Sequence, residues 1–278
     1  MIKQLGFALL SLLAARGVAS AQNGEDAFNK PFPPFKVMGN IYFVGTEDLG
    51  SFLITTPQGH ILINSDFEST VPQIRESVEK LGFKFTDIKI LLGSHAHGDH
   101  MQGDALVKEL TAAQVVVMEQ DVPAISRLTP HGKPHPIDRV IHDGESVTLG
   151  GTTLVAHLTP GHTKGCTTWT LQAQDGGRTY NVAILGSIGV NPNYILVNNK
   201  DYPQIADDYV QGFKVLRALP VDVFLGSHSR FYGMAEKYGR LKAGGPNPFI
   251  DPAGYKAHLD LQEKNFKTKL AEQQLAAK

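Results

Sequence analysis

Short apolar runs punctuated by glycine and proline dominate the first half of the chain. Residues 41–44, 51–55 and 60–64 are each brief, rich in β-branched and aromatic side chains, and separated by turn residues. That pattern predicts three strands of a meander. The spacing then changes. From 71 to 81 the apolar positions recur with helical period, Ser69 and Thr70 offer an N-cap, and Gly82 is a stop. Residues 88–92 read as an apolar strand, 101–110 as a helix and 115–118 as another strand. In the second half, strands are predicted at 147–149, 153–158, 167–171, 181–185 and 221–225, with a helix over 204–219. Asp251 followed by Pro252 supplies an N-cap and a first helical residue for a C-terminal helix. Strands flanked by helices occur twice. This predicts an α/β chain with two packed sheets and helices outside them, a four-layer αββα sandwich. Residues 28–34 are expected to form an extended surface arm. Residues 120–139 carry proline, histidine and glycine without period, and are expected to form a long loop at the border of a site.

Composition narrows the function classes. Hydrophobic residues make up 42% and charged residues 19% of the 278 positions, an ordinary globular balance. No linker-like stretch divides the chain, so 22–278 reads as one catalytic domain. The net charge of -1 argues against a nucleic-acid partner. Lys3, an apolar stretch over 5–15 and Ala19-Ser20-Ala21 have the form of a secretory signal, residues 1–21. Arg16 and Gly17 cut the apolar run short of the roughly 20 residues that a membrane span needs. The expected mature chain is exported and has no membrane segment. Its one cysteine, Cys166, permits no internal disulfide.

The chemistry concentrates in "GSHAHGDH", where the apolar strand breaks and His95, His97, Asp99 and His100 follow within six residues. A chain leaving a strand is still near-extended, and a period of two points His95 and His97 the same way, with Asp99 continuing the alternation. Imidazole and carboxylate suit zinc, and also iron or manganese. One loop cannot fill two coordination spheres. Two further histidines follow strands in small-residue turns: His162 in "TPGHTKG" and His228 in "GSH". His157 lies within a strand and reads as a packed histidine, and Trp169 as core. His60, His131, His135, His142 and His258 lack a strand-end setting and are given no metal role.

In this order, "HAHGDH", "TPGHTKG" and "GSH" resemble the metallo-β-lactamase superfamily. The resemblance implies an αββα fold with two mixed sheets and two zinc ions. His95, His97 and His162 would hold the first, and Asp99, His100 and His228 the second. Where glyoxalase II, the lactonases and the tRNA-processing nucleases carry a bridging aspartate, this chain has Ser187 in "AILGSIGVN". That serine, with His100 as a ligand, resembles the subclass B3 β-lactamases, as do "TPGHTKGCTTWT" and "NPFIDPAGY". The resemblance implies hydrolysis of a β-lactam by a bridging hydroxide that Asp99 orients, without a covalent intermediate. Ser187 and Asn191 would recognise the substrate carboxylate, and Tyr194 would line the cleft. A periplasmic monomer is expected. The rival readings are a lactone or thioester hydrolase of the same fold and a metal-storing protein. No G-x-x-x-x-G-K or G-x-S-x-G pattern supports phosphate binding or a serine nucleophile.

Overall fold

The structure is a computed structural model that describes residues 28–278. The expected signal at 1–21 lies outside the described residues. The first sheet follows chain order: β1 (Phe35–Met38), β2 (Ile41–Phe43), β3 (Phe52–Thr56), β4 (Gly59–Ile63), β5 (Ile88–Leu92), β6 (Gln114–Met118) and β7 (Arg139–Ile141). Its first four strands form the antiparallel meander, and β4 to β7 run parallel. The second sheet holds β8 (Ser146–Leu149), β9 (Thr152–Leu158), β10 (Thr167–Asp175), β11 (Arg178–Leu185) and β12 (Val223–Gly226) in the order β12-β11-β10-β9-β8. Only the β11–β12 pair is parallel there.

Period two explains the layering. Phe52, Ile54, Ile61, Ile63, Ile90, Leu92, Val116 and Met118 point from the first sheet into the core between the sheets. There they join Leu154, Ala156, Trp169, Leu171, Val182 and Ile184 of the second. The intervening Leu53, Leu62, Leu91, Val115 and Val117 point the other way. They are covered by Val71, Ile74 and Val78 of α1 (Val71–Lys80) and Val107 of α3 (Asp104–Thr111). A strand buried on both faces needs apolar residues at both parities, which is why these parallel strands read as continuous apolar runs. Each such side chain contributes roughly 1.5–3 kcal/mol when removed from water. The second sheet is covered by α5 (Ile205–Ala218) and the long α7 (Pro252–Ala276), which pack together through Tyr209 stacked on Phe266 at 5.1 Å.

The structure departs from the pattern in places. The helix expected over 101–110 is two: α2 (Gly98–Met101) and α3. The break falls at Gly103, whose N–H donates to the Asp66 carbonyl at 2.9 Å. A Cβ there would meet the Ser65 carbonyl at 2.8 Å, so the chain turns tightly against the loop after β4. Residues 120–139 contain α4 (Val122–Ile125) and short 3-10 turns in place of one unbroken loop. Strands β1 and β7 and the helix α6 (Met234–Ala243) were not foreshadowed. Thr70 does stand at the N-cap of α1, but its hydroxyl donates to Asn29 and caps nothing. Asp251 caps α7 as expected, accepting from Gly254 N at 2.8 Å.

Candidate metal centre

The site forms where strand ends from both sheets meet. Strand β5 delivers the chain to Gly93, and the second sheet fixes its exit. The Trp169 indole of β10 donates to the Gly93 carbonyl at 3.0 Å, and Thr167 N donates to the Ser94 carbonyl at 2.8 Å. Asn64, in a left-handed conformation after β4, accepts from Ser94 N at 3.0 Å. The N–H groups of Ser65 and Asp66 hold the His100 carbonyl. The loop is therefore built from hydrogen-bonded backbone on three sides.

Six predicted residues converge. His95, His97 and His162 form one triad and Asp99, His100 and His228 a second, with the candidate ligand atoms of each triad within 4.8 Å of one another. The triads adjoin, since the His95 and His100 rings lie 4.3 Å apart. The expected alternation stops at His97, which is extended. Asp99 sits in α2 and turns away from His95 and His97 to join the second triad. Its Oδ2 lies 3.4 Å from His100 Nε2 and 3.6 Å from His228 Nε2.

Tautomers follow from the partners. His162 Nδ1 donates to the Gly189 carbonyl at 2.7 Å, so Nε2 is bare. Tyr194 Oη donates to the His162 carbonyl at 2.7 Å. Its oxygen then accepts from His97 Nε2 at 3.3 Å, which leaves Nδ1 as the bare nitrogen of His97. His228 Nδ1 donates to Asp48 Oδ2 at 3.1 Å, and Asp48 is also paired with Arg230. Burial acts to raise the Asp48 pKa, but the His228 and Arg230 bonds outweigh it and hold the carboxyl below its usual range. A carboxylate behind a histidine fixes the ring and raises its basicity as a ligand.

Burial, reinforced by neighbouring imidazoles, pushes His95 and His100 well below the ordinary imidazole value and takes His162 down to about 3. These rings are neutral, the form that binds a metal. His95 Nε2 and both nitrogens of His100 are buried without a hydrogen-bond partner. A buried, unpaired polar atom costs roughly 1–3 kcal/mol, so several in one place need a compensating cation. The donor set of nitrogens and one carboxylate fits zinc.

Of the other predicted residues, Ser187 is buried just beyond β11, and its carbonyl accepts from Cys166 Sγ at 3.2 Å. Asn191 is half-buried on the following loop. His157 bonds Thr170 across the sheet at 2.8 Å, as its strand setting implied. Three acids were missed. Asp48 is held beside His228 by a bridge between Leu49 and His228. Asp121 accepts from Ala96 N, Thr163 Oγ1 and Gly165 N, and so ties the His95–His97 loop to the His162 loop. Asp66 is fully buried, accepts from Ser51 Oγ at 2.8 Å, and is kept well above the usual carboxyl range by burial. Each is isolated in sequence among ordinary polar residues, and only the tertiary fold reveals it.

The likeness to known proteins runs the length of the site. Native FEZ-1 metallo-beta-lactamase from Legionella gormanii is 50% identical, covers 88% of this chain and 98% of its own, and superposes with a TM-score of 0.86. BJP-1, a subclass B3 metallo-beta-lactamase of Bradyrhizobium japonicum, is 38% identical over 90% of this chain and 98% of its own, with a TM-score of 0.83. Curated relatives match a shorter region. A hydroxyacylglutathione hydrolase from Rhodopseudomonas palustris is 32% identical over 121 residues, 42% of this chain. The chain spans about two-fifths, 41%, of that relative's length. Residues 50–228, which include all six converging side chains, match the metallo-beta-lactamase superfamily, and the chain belongs to that family.

Proposed function

We propose that the protein hydrolyses the amide of a β-lactam ring and that it uses two zinc ions to do so. The observation that carries this reading is the pair of adjoining triads. Its support is the 50% identity to a metallo-beta-lactamase over nearly that protein's whole length. His95, His97 and His162 would hold one ion, and Asp99, His100 and His228 the other. When bound, such a pair supplies Lewis acidity and a water acidic enough to ionise near neutral pH.

The chain's own residues do the rest. Asp99 offers one oxygen toward His100 and His228, and its other oxygen orients a water toward the ring carbonyl carbon. Asp99 then takes a proton from that water and returns it to the ring nitrogen as the C–N bond breaks, giving an amine and a carboxylic acid that ionises to solvent. Asn191, and Ser187 directly or through water, receive the substrate carboxylate. Tyr194, bound to both His97 and His162, lines the cleft. No side chain forms a covalent bond with substrate. The reading includes export to the periplasm and action as a monomer. No helix among the described residues is long and apolar enough to cross a membrane.

Purified protein should open a chromogenic cephalosporin, lose that activity to a chelator and regain it with zinc, at two zinc ions per chain. The hydroxyacylglutathione hydrolase likeness favours a second reading, a thioester hydrolase. Turnover of thioesters or lactones with an inert cephalosporin would establish it in place of the first. Against it stands Ser187, where that group carries an aspartate.

A further inference from the structure

Two side chains of α7, one turn apart, hold the loop on which Asn191 and Tyr194 sit. Lys269 Nζ donates to the Asn191 carbonyl at 2.8 Å and to the Pro192 carbonyl at 2.6 Å. Gln273 Nε2 donates to the Tyr194 carbonyl at 2.9 Å, and its Oε1 accepts from Leu196 N at 2.6 Å. Phe266, on the same helical stripe, stacks on Tyr209, whose hydroxyl donates to the Gly189 carbonyl at 2.9 Å. That carbonyl is the one that orients His162. Positions 266, 269 and 273 are spaced three and four apart, so they share one face of α7. Both Lys269 and Gln273 are half-buried, although Lys267, Thr268, Glu272 and Gln274 beside them are exposed.

We infer that Lys269 and Gln273 are positioning residues. Through backbone carbonyls they set the height and register of residues 191–196, and so the placement of Asn191 and Tyr194 over the metal centre. The ammonium of Lys269 draws two adjacent carbonyls inward and so fixes the backbone that carries the Asn191 side chain. Gln273 bonds both sides of the loop's second half and fixes the Tyr194 backbone, whose side chain touches His97 and His162. Neither residue reaches the reacting atoms. Their removal should therefore weaken substrate binding more than the chemical step. This inference rests on the β-lactamase reading for its kinetics and on the hydrogen bonds alone for its effect on the loop.

The test is Lys269→Met and Gln273→Leu, with Lys269→Arg as the conservative variant and Lys267→Met as a control on the exposed side of the same helix. The two disruptive variants should raise KM for a cephalosporin by roughly 10-fold while kcat changes by less than about 3-fold, the scale set by losing charged or paired hydrogen bonds. Lys269→Arg should recover most of the loss, and Lys267→Met should behave as the parent protein. Amide hydrogen exchange over 191–196 should accelerate in the disruptive variants only. Unchanged KM with unchanged exchange overturns the inference, as does an equal fall in kcat for control and disruptive variants. If the parent protein leaves cephalosporins intact, the β-lactamase reading fails, and the exchange data still decide the clamp.

Discussion

Two buried histidines approach the short helix α2 and have opposite electrostatic fates. His100 lies on the helix itself, fully buried, with neither ring nitrogen hydrogen-bonded. His135 comes from the segment after α4 and packs at the helix's end. Its Nε2 lies 3.0 Å from the Met101 carbonyl and 3.2 Å from Asp104 Oδ2, and its Nδ1 lies 2.9 Å from the Pro136 carbonyl. Every one of these neighbours is an acceptor, so both nitrogens are placed to donate, which favours the imidazolium. Burial alone would lower its pKa, but the bond to Asp104 and the two carbonyls raise it. His100 faces other imidazoles and is driven well below the ordinary value by burial. A histidine that is buried and satisfied is structural. His60 and His258 are buried with one unpaired nitrogen each, so neither burial nor a single missing bond marks a ligand; the convergence of several unpaired rings does.

The largest effect should come from the unsatisfied ring. His100→Ala or His95→Ala should cut β-lactam turnover by about 10³-fold or more and lower zinc content from two ions toward one. Circular dichroism should show the fold retained. Full turnover with two zinc ions in either variant would remove these rings from the ligand set. His135→Ala should do the reverse. Removing one partner leaves the Asp104 carboxyl buried with only the Ser65 hydroxyl bonded to it, at a cost of about 3 kcal/mol in denaturant unfolding. Turnover by the fraction still folded should stay within a few-fold of the parent. A His135→Ala protein as stable as the parent would show that the pair is not charged.

Asp48 sharpens the contrast inside the centre. It backs His228, while the rings of the first triad are backed by neutral groups: the Gly189 carbonyl, the Tyr194 hydroxyl and the Ser94 hydroxyl 3.2 Å from His95 Nδ1. Asp48→Asn should weaken zinc at the Asp99–His100–His228 triad about 10-fold in a chelator competition and leave the other triad unchanged. Equal weakening at both would mean that Asp48 acts through the overall field of the cleft.

Much of this centre was legible because its residues are local. His95 to His100 fall on one loop after a recognisable strand, and His162 and His228 follow two more. The αββα layering was legible too, since strands buried on both faces leave apolar runs and amphipathic helices leave a period. What the sequence hid depends on chain closure. Asp48 meets His228 across 180 positions, Asp121 joins two loops, and His135 reaches Met101 across 34. The α2–α3 break was hidden for the same reason, because Gly103 is required by Ser65 and not by its own neighbours. Asp99 shows the limit of local reasoning: it does join His100 and His228, but the helical turn, not a strand's alternation, aims it.

The smallest effect separates the two histidine types by titration. His95, His97, His100 and His162 have depressed folded pKa values, so what they contribute is present above the unfolded imidazole value of about 6.5 and is lost as pH falls below it. From about pH 6.5 to 8 the folded rings are neutral while the unfolded ones still shed protons, so they add a rising slope that fades toward pH 8 and is the same in any variant that keeps them. His135 has a raised folded pKa, so its contribution is complete below about 6.5 and is lost as pH rises toward that folded value. Its slope cannot exceed about 1.4 kcal/mol per pH unit, the limit for one proton. Cys166, pushed upward by burial, titrates later, because the unfolded thiol ionises near 8.5. The unfolding free energy of the parent minus that of His135→Gln should therefore fall between pH 6.5 and 8. Parallel slopes in the two proteins would show His135 to be neutral, and the contrast with His100 would then be one of hydrogen bonding without charge.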